Sequence, residues 1–270
     1  GETWLFVEEF LYLDHAARLV ALPLAPDGRT GPPRPLELVA GPPGVEEGGL
    51  PMSAHHWSFP FVFEGDDGEL YLVPETCSIG AVDLFVCDAF PHRWRWVRRL
   101  LDGADAADTT LVRHDGRWWL FTSVRPHEDA PRALEIHHAE DLIAGAFVPH
   151  PVNGERRFAD APFGTGRCGG TWATAPDGAW LRPAQWSARY YGEGLRYMRI
   201  DALTPDVFEE RPYDGPHPLS ALAATVSPHH ISAHEGFIAV DARTRVSYGQ
   251  HVPFWSGALK PSSSLARLRD

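Results

Sequence analysis

A repeated sequence motif constrains the fold of this chain more than any other feature. Each copy contains an aromatic or apolar strand that follows a glycine, and a polar residue near the end of that strand. Five copies recur at intervals of roughly 50 to 70 residues, at residues 1–8, 68–75, 116–123, 178–185 and, less perfectly, 236–241. Because one such unit cannot bury both of its faces alone, repeats of this length pack side by side as the blades of a β-propeller.

The turns before these strands support the same fold. Asp-Gly pairs at Gly68, Gly116 and Gly178 separate two apolar runs, and they predict tight hairpins because glycine accepts a positive φ. Further strands are predicted at residues 82–87, 94–101, 195–200 and 207–211. We therefore predict an all-β fold, a five-bladed β-propeller similar to family 43 and invertase-like proteins, in a single domain over residues 1–270. The first blade is expected to be incomplete, and a strand at residues 251–256 is one way to close it.

Composition excludes several classes of partner. The net charge of -12 disfavours nucleic acids and anionic membranes, since both reward a basic surface. No run of about 18 apolar residues occurs and the first residues do not resemble a secretory signal, so we expect a cytoplasmic protein without membrane insertion. Cys77, Cys87 and Cys168 match no metal spacing and are expected to be reduced thiols. The sequence does not indicate an oligomeric state.

Two acidic residues are the candidates for chemistry. In a propeller the inner strands line a central channel, so residues at matching places in successive blades converge. Glu75 and Asp108 come from adjacent blades and predict a pair for general acid and base catalysis. The alternative roles are structural: Asp108 as the cap of a strand start, and Glu75 as a solvated carboxylate at a strand end.

Other polar and aromatic residues fall at matching places around the same predicted channel. We expect them to bind substrate: His56, Arg167, Gln185, Trp186, Tyr191 and His230. Arg167 has the alternative of pairing with an acidic loop. Adjacent histidines on a strand point to opposite faces, so a structural role is an alternative for His230. No cofactor or metal ligand is predicted, although a channel metal bound by one histidine from each of several pairs stays open.

The amino-acid sequences of the repeats resemble those of one protein family. The similarity is to the N-terminal domain of glucosamine inositolphosphorylceramide transferases. It is carried by residues 56–64, 72–76, 107–111, 114–121 and 182–185, with Tyr191 and Gly192. That domain is similar to glycoside hydrolase family 43. The resemblance implies a carbohydrate pocket at the channel mouth, with Glu75 and Asp108 at the family's acidic positions. It also implies a general base on a first inner strand, for which this sequence has no matching residue.

The leading functional prediction is therefore a carbohydrate-active enzyme that acts on a sugar or sugar-like small molecule or glycan by carboxylate acid and base catalysis. One alternative is a non-catalytic glycan-binding module of a transferase. The other is a propeller enzyme of specialised metabolism that performs cyclisation, elimination or isomerisation, because propellers host many chemistries.

Overall fold

The computed structural model describes residues 2–11, 13, 16–39, 56–76, 79–125, 127, 130–155, 165–187, 192–221, 227–234 and 236–243. Within these ranges the regular structure is β-strand, apart from short 3-10 turns such as Pro218–Ala221. The prediction of an all-β chain is confirmed. No helix in the described ranges has the length and apolar character needed to cross a membrane.

The strands form five sheets that follow one another along the chain, and we number the sheets in that order. Sheet one contains β1 (Thr3–Leu11), β2 (Ala16–Leu24) and β3 (Arg34–Pro35). Sheet two contains β4 (Glu37–Val39), β5 (Ser58–Glu64), β6 (Leu70–Glu75), β7 (Ala81–Ala89) and β8 (Arg93–Asp102). Sheet three contains β9 (Ala106–His114), β10 (Arg117–Val124), β11 (Ala133–Ala139) and β12 (Val148–Pro149).

The last two sheets complete the described architecture. Sheet four contains β13 (Arg167–Cys168), β14 (Ala173–Thr174), β15 (Trp180–Trp186), β16 (Gly194–Leu203) and β17 (Phe208–Pro212). Sheet five contains β18 (Ser227–His234) and β19 (Phe237–Arg243). The third and fourth strands predicted in the second and fourth repeats are confirmed as β7, β8, β16 and β17.

The sheets are mainly antiparallel meanders in which sequence neighbours are also spatial neighbours, although in sheet four β13 and β14 both pair with β15. The short strand β4 is an exception, because it pairs in parallel with β8. The hairpin between β9 and β10 shows how the sequence specifies such a turn: Asp115 has φ +46° and Gly116 has φ +73°. Positive φ at both central residues matches the right-handed twist of the flanking strands, so the hairpin predicted there is confirmed.

In the second, third and fourth repeats the strand that follows the turn glycine is deeply buried. β6, β10 and β15 are buried along nearly their whole length, without the alternation of a half-exposed strand. Both faces of these strands must therefore contact other protein, as in blades that pack face to face.

Packing divides the chain into two compact units. The first contains Gly1–Ala25, Thr30–Ala130 and Glu135–His150, and the second contains Pro26–Arg29, Pro131–Leu134 and Pro151–Asp270. In the first unit, Phe63 stacks on Tyr71 at 5.9 Å and contacts Trp118 at 5.4 Å between ring centroids, which joins sheets two and three. In the second unit, Leu181, Tyr197 and Ile231 share a core that joins sheets four and five.

Candidate functional site

In sheets two, three and four, a polar residue at or next to the end of the strand that follows the turn glycine lies opposite the start of an inner strand. Glu75 pairs with Ser58 in sheet two, Ser123 with Ala107 in sheet three, and Gln185 with Arg167 in sheet four. These three pairs occupy the same place in three successive repeats.

The inner strands of sheets two and three bulge just after this place. In β5, Phe59 and Pro60 oppose the single residue Pro74, and in β9, Asp108 and Thr109 oppose Thr122. Phe59 has φ +42° and Asp108 has φ +54°. A left-handed backbone at a non-glycine residue is costly, and it persists only where the surrounding structure enforces it. Bulges of this kind redirect a side chain beside a functional site.

Glu75 and Asp108 meet across sheets two and three, within the first unit. The main-chain N–H of Asp108 donates a hydrogen bond to Glu75 Oε2 at 3.0 Å. Asp108 is only 3% exposed, whereas Glu75 is half-buried. The two acidic residues that the repeat alignment brings together are thus neighbours in the structure, with different degrees of solvent contact.

Threonine hydroxyls fix the bulge beside Asp108. The hydroxyls of Thr109 and Thr122 lie 2.8 Å apart, and Thr122 Oγ1 also donates to the carbonyl of Ala107 at 3.2 Å. All three residues are buried. The hydroxyl of Thr110 is buried too and has no hydrogen-bond partner in the described part of the chain. The surroundings of Asp108 are therefore polar as well as enclosed.

His56 is bound to sheet one. The main-chain N–H of Ala17 donates to His56 Nδ1 at 3.2 Å, and the N–H of Trp57 donates to the carbonyl of Ala17 at 3.0 Å. A neutral ring that accepts at Nδ1 carries its proton on Nε2. The His56 ring therefore joins the residues just before β5 to strand β2.

Arg167 and Gln185 lie together in the second unit. They are Cα partners in sheet four, and Gln185 Nε2 donates to the carbonyl of Cys168 at 2.9 Å. Gln185 is 1% exposed and Arg167 is half-buried. The glutamine therefore anchors the backbone next to the arginine.

His230 lies close to the segment that follows Arg167, because the backbone at Ile231 contacts the backbone at Gly169 and Thr171. The N–H of Ile231 donates to the carbonyl of Gly169 at 2.8 Å, and the N–H of Thr171 donates to the carbonyl of Ile231 at 2.9 Å. Gly170, between them, has φ +116°, and a Cβ there would lie 1.9 Å from the Ile231 oxygen and 2.8 Å from His230 Nε2. Only glycine fits this position, which places the His230 ring against the segment that follows Arg167.

The neighbouring histidine has an acidic partner. His229 Nδ1 lies 3.4 Å from Asp241 Oδ2. The hydrogen bond from His229 lowers the pKa of the Asp241 carboxyl below its usual value. Sequence reasoning placed Asp241 at the end of the fifth repeat but did not find this pairing.

The aromatic candidates are placed differently from each other. The guanidinium of Arg196 lies 3.3 Å from the centroid of the Trp186 ring, so one face of that ring is covered by a cation. Tyr191 lies outside the described residues.

Sequence reasoning missed a buried ion pair in sheet four. The guanidinium of Arg182 lies 2.7 Å from the carboxylate of Glu210, and their side chains are 0% and 1% exposed. Burial acts to lower the pKa of Arg182, but the charge of Glu210 and its hydrogen bonds outweigh burial and raise that pKa. The available signal was an arginine within the apolar strand β15.

Within the described ranges, no three histidine, cysteine, aspartate or glutamate side chains lie close enough together to hold a metal ion.

Solved structures share the fold. An exo-β-1,3-galactanase from Clostridium thermocellum matches with a TM-score of 0.53 and 16% identity over 72% of this chain and 42% of its own. A glycoside hydrolase family 43 protein from Bacillus licheniformis matches with a TM-score of 0.54 and 13% identity over 89% of this chain and 52% of its own. The predicted fold class, an all-β propeller of the family 43 type, is confirmed.

Sequence relatives extend the comparison to a family. Glucosamine inositolphosphorylceramide transferase 1 of Arabidopsis thaliana is 32% identical over 162 residues, which are 58% of this chain and 20% of the relative. The protein of the same name from Oryza sativa subsp. indica is 30% identical over 210 residues, 73% of this chain and 27% of the relative. This chain thus spans about a fifth to a quarter of the length of these relatives. The family model described as glucosamine inositolphosphorylceramide transferase 1, N-terminal, matches residues 48–216, and the chain belongs to that family.

Proposed function

We propose that this chain is a carbohydrate-active module in which Glu75 and Asp108 form the proton-transfer pair. The observation that carries the proposal is the hydrogen bond from the Asp108 N–H to Glu75 Oε2 at 3.0 Å. It joins two acidic residues from neighbouring sheets, at a strained bulge of the backbone. Strained backbone and enclosed acidic groups are typical of active sites.

The pair has the chemistry that a glycosidic bond requires. One carboxyl group protonates the departing oxygen, while the other acts as base or nucleophile on the opposite side of the sugar ring. Asp108 is almost fully buried and Glu75 is half-buried, so the two carboxylates have different environments. Unequal environments are the usual means by which two carboxylates take different roles.

In the second unit, we propose that Arg167 and His230 bind hydroxyl or anionic groups of a glycan, and that the predicted substrate-binding residue Gln185 supports them from behind. An arginine offers several N–H donors in a fixed fork, which suits a phosphate or carboxylate. Gln185 anchors the backbone beside Arg167, and Gly170 allows His230 to approach it.

The proposed substrate class is a sugar or a glycosylated head group. The names of the sequence relatives refer to glucosamine inositolphosphorylceramide, and those of the structural relatives to a β-1,3-galactanase and to glycoside hydrolase family 43. Two kinds of soluble probe follow from these names and form the panel: glucosaminyl-inositol phosphate and β-1,3-galacto-oligosaccharides.

The test measures binding and product formation separately. Calorimetry with each member of the panel gives the affinity, and mass spectrometry of the same mixtures after incubation detects cleavage or transfer. Binding of at least one member, with product formed, supports the enzymatic proposal. If no member binds, the proposal of a carbohydrate site is overturned.

A second function is favoured by the length of the relatives. The chain corresponds to only 20% to 27% of proteins named as transferases, so it is a candidate for a glycan-binding part that serves a catalytic part elsewhere. Binding of a panel member without any product, by wild-type protein with Glu75 and Asp108 intact, would select this function. Product formation by the isolated chain would exclude it.

A further inference from the structure

The ion pair between Arg182 and Glu210 is closed off from solvent. Arg182 lies in the middle of β15 and Glu210 lies in β17. Arg182 Nε donates to Glu210 Oε2 at 2.8 Å, and Nη2 donates to Oε1 at 2.7 Å. These two parallel bonds form the bidentate geometry in which an arginine and a carboxylate hold each other in one orientation.

A third bond connects this pair to the segment that carries Arg167. Arg182 Nη2 also donates to the carbonyl of Thr165 at 2.9 Å, and Thr165 is buried. On the other side of Arg167, Gln185 Nε2 donates to the carbonyl of Cys168. Two side chains of β15 therefore hold the backbone on either side of Arg167, at Thr165 and at Cys168.

Stability alone does not account for such a pair. Taking two charges out of water costs free energy, and apolar side chains of similar volume often replace a buried ion pair without loss of stability. The strand neighbours on the same face as Arg182 are Trp180 and Ala184, both apolar, and Ala184 is fully buried, so an apolar side chain has apolar neighbours there. In some proteins a buried pair with directed hydrogen bonds instead specifies one local arrangement of the chain.

We propose that Arg182, held by Glu210, is a positioning residue that fixes the direction of Arg167 through the backbone at residues 165–168. This inference rests on the proposed function, in which Arg167 binds a polar group of the glycan. Arg182 does not touch the ligand in this scheme. It acts only through Arg167, and this restriction makes the inference testable.

The experiment compares three variants by calorimetry, with glucosaminyl-inositol phosphate as the probe. Arg167→Ala removes the proposed contact, and the double variant Arg182→Met/Glu210→Leu removes the ion pair without leaving one buried charge alone. The triple variant combines them. We expect about a tenfold or greater rise in Kd for the first two variants, and no further rise for the triple variant, because both changes remove the same interaction.

Controls separate positioning from general damage. The urea midpoint of the double variant should stay close to that of the wild type. Arg99→Met/Asp83→Leu, which removes another ion pair with a fully buried carboxylate in the first unit, should leave the Kd unchanged. If the double variant does not fold, Arg182→Lys serves instead: a single ammonium keeps the charge beside Glu210 but cannot reproduce the fork that also reaches Thr165.

The outcomes distinguish the two proposals. If Arg167→Ala weakens binding but neither the double variant nor Arg182→Lys does, the positioning role is wrong and the proposed function stands. If the triple variant binds much more weakly than Arg167→Ala, Arg182 acts independently of Arg167 and the inference is overturned. If wild-type protein does not bind the probe, or Arg167→Ala binds it normally, the proposed role of Arg167 fails and the positioning role fails with it.

Discussion

The main-chain nitrogen of Asp108 lies 3.0 Å from Oε2 of Glu75, so the backbone of Asp108 orients the Glu75 carboxylate. The bond crosses from sheet three to sheet two within one compact unit. It depends on the left-handed backbone of Asp108, which turns the N–H of a bulged residue towards a neighbouring sheet.

The backbone strain at Asp108 is measurable. Alanine at φ +54° carries a penalty of about 1 to 2 kcal/mol that glycine does not, whereas glycine in an ordinary strand position is less stable than alanine by roughly 0.5 to 1 kcal/mol. We therefore expect Asp108→Gly to be at least as stable as Asp108→Ala in urea unfolding. Ala107→Gly, one residue earlier and outside the left-handed region, should show the ordinary loss. A more stable Asp108→Ala protein would contradict the strained backbone.

The paired hydroxyls of Thr109 and Thr122 predict a non-additive effect. Thr122→Val removes one partner of a buried hydrogen bond and should cost about 1 to 3 kcal/mol of unfolding free energy, because the Thr109 hydroxyl loses its partner. Thr109→Val/Thr122→Val removes both hydroxyls, so its cost should be smaller than the sum of the single variants. Additive losses in urea unfolding would show that the two hydroxyls do not interact.

The contact between sheets four and five depends on Gly170. Gly170→Ala would place a Cβ 1.9 Å from the Ile231 oxygen, so we expect a loss of roughly 2 to 4 kcal/mol in unfolding free energy. Gly178→Ala is the matched control, since Gly178 also has a positive φ but its Cβ would meet nothing within 4 Å. That variant should lose only the conformational penalty of about 1 kcal/mol. Equal losses for the two variants would contradict the close approach.

Tyr71 predicts a loss of stability at alkaline pH. Burial, aided by the hydrogen bond that Tyr71 donates to Asp67 at 2.8 Å, raises the pKa of Tyr71 to about 12. A tyrosine with a raised pKa in the folded state stabilises the protein fully below its ordinary pKa of about 10, and this contribution is lost as the pH rises towards 12. The unfolding free energy should therefore fall more steeply between these values in wild-type protein than in Tyr71→Phe. Equal slopes would show that Tyr71 titrates normally.

Some of this architecture is readable from the sequence because its signals are local. The Asp-Gly turn at Gly116 specifies its own hairpin through two positive φ angles. The neighbourhood of Glu75 and Asp108 follows from aligning repeats, since equivalent residues in adjacent blades must lie close together. Both inferences need only the period of the repeat and the chemistry of a turn.

Other features depend on partners far away in the chain. Glu210 follows Arg182 by 28 residues, and which residues of β15 and β17 share a face depends on sheet register. The stacking of Arg196 on Trp186 depends on the same register, so the covered face of that ring could not be foreseen. The left-handed backbone of Asp108 could not be predicted, because the residue at that position is not a glycine. These features arise from tertiary packing, which residue spacing alone does not encode.

The most direct test of the account is the turnover of the best glycan of the panel by wild-type protein, Glu75→Gln and Asp108→Asn. Both substitutions preserve size. The amide oxygen that Glu75→Gln introduces can still accept the hydrogen bond, and asparagine tolerates a left-handed backbone. We expect a fall in kcat of about 10²-fold or more in each variant, with unfolding midpoints close to that of the wild type. Unchanged turnover in both variants, or no turnover of any panel member by the wild type, would contradict the assignment of these two carboxylates to catalysis.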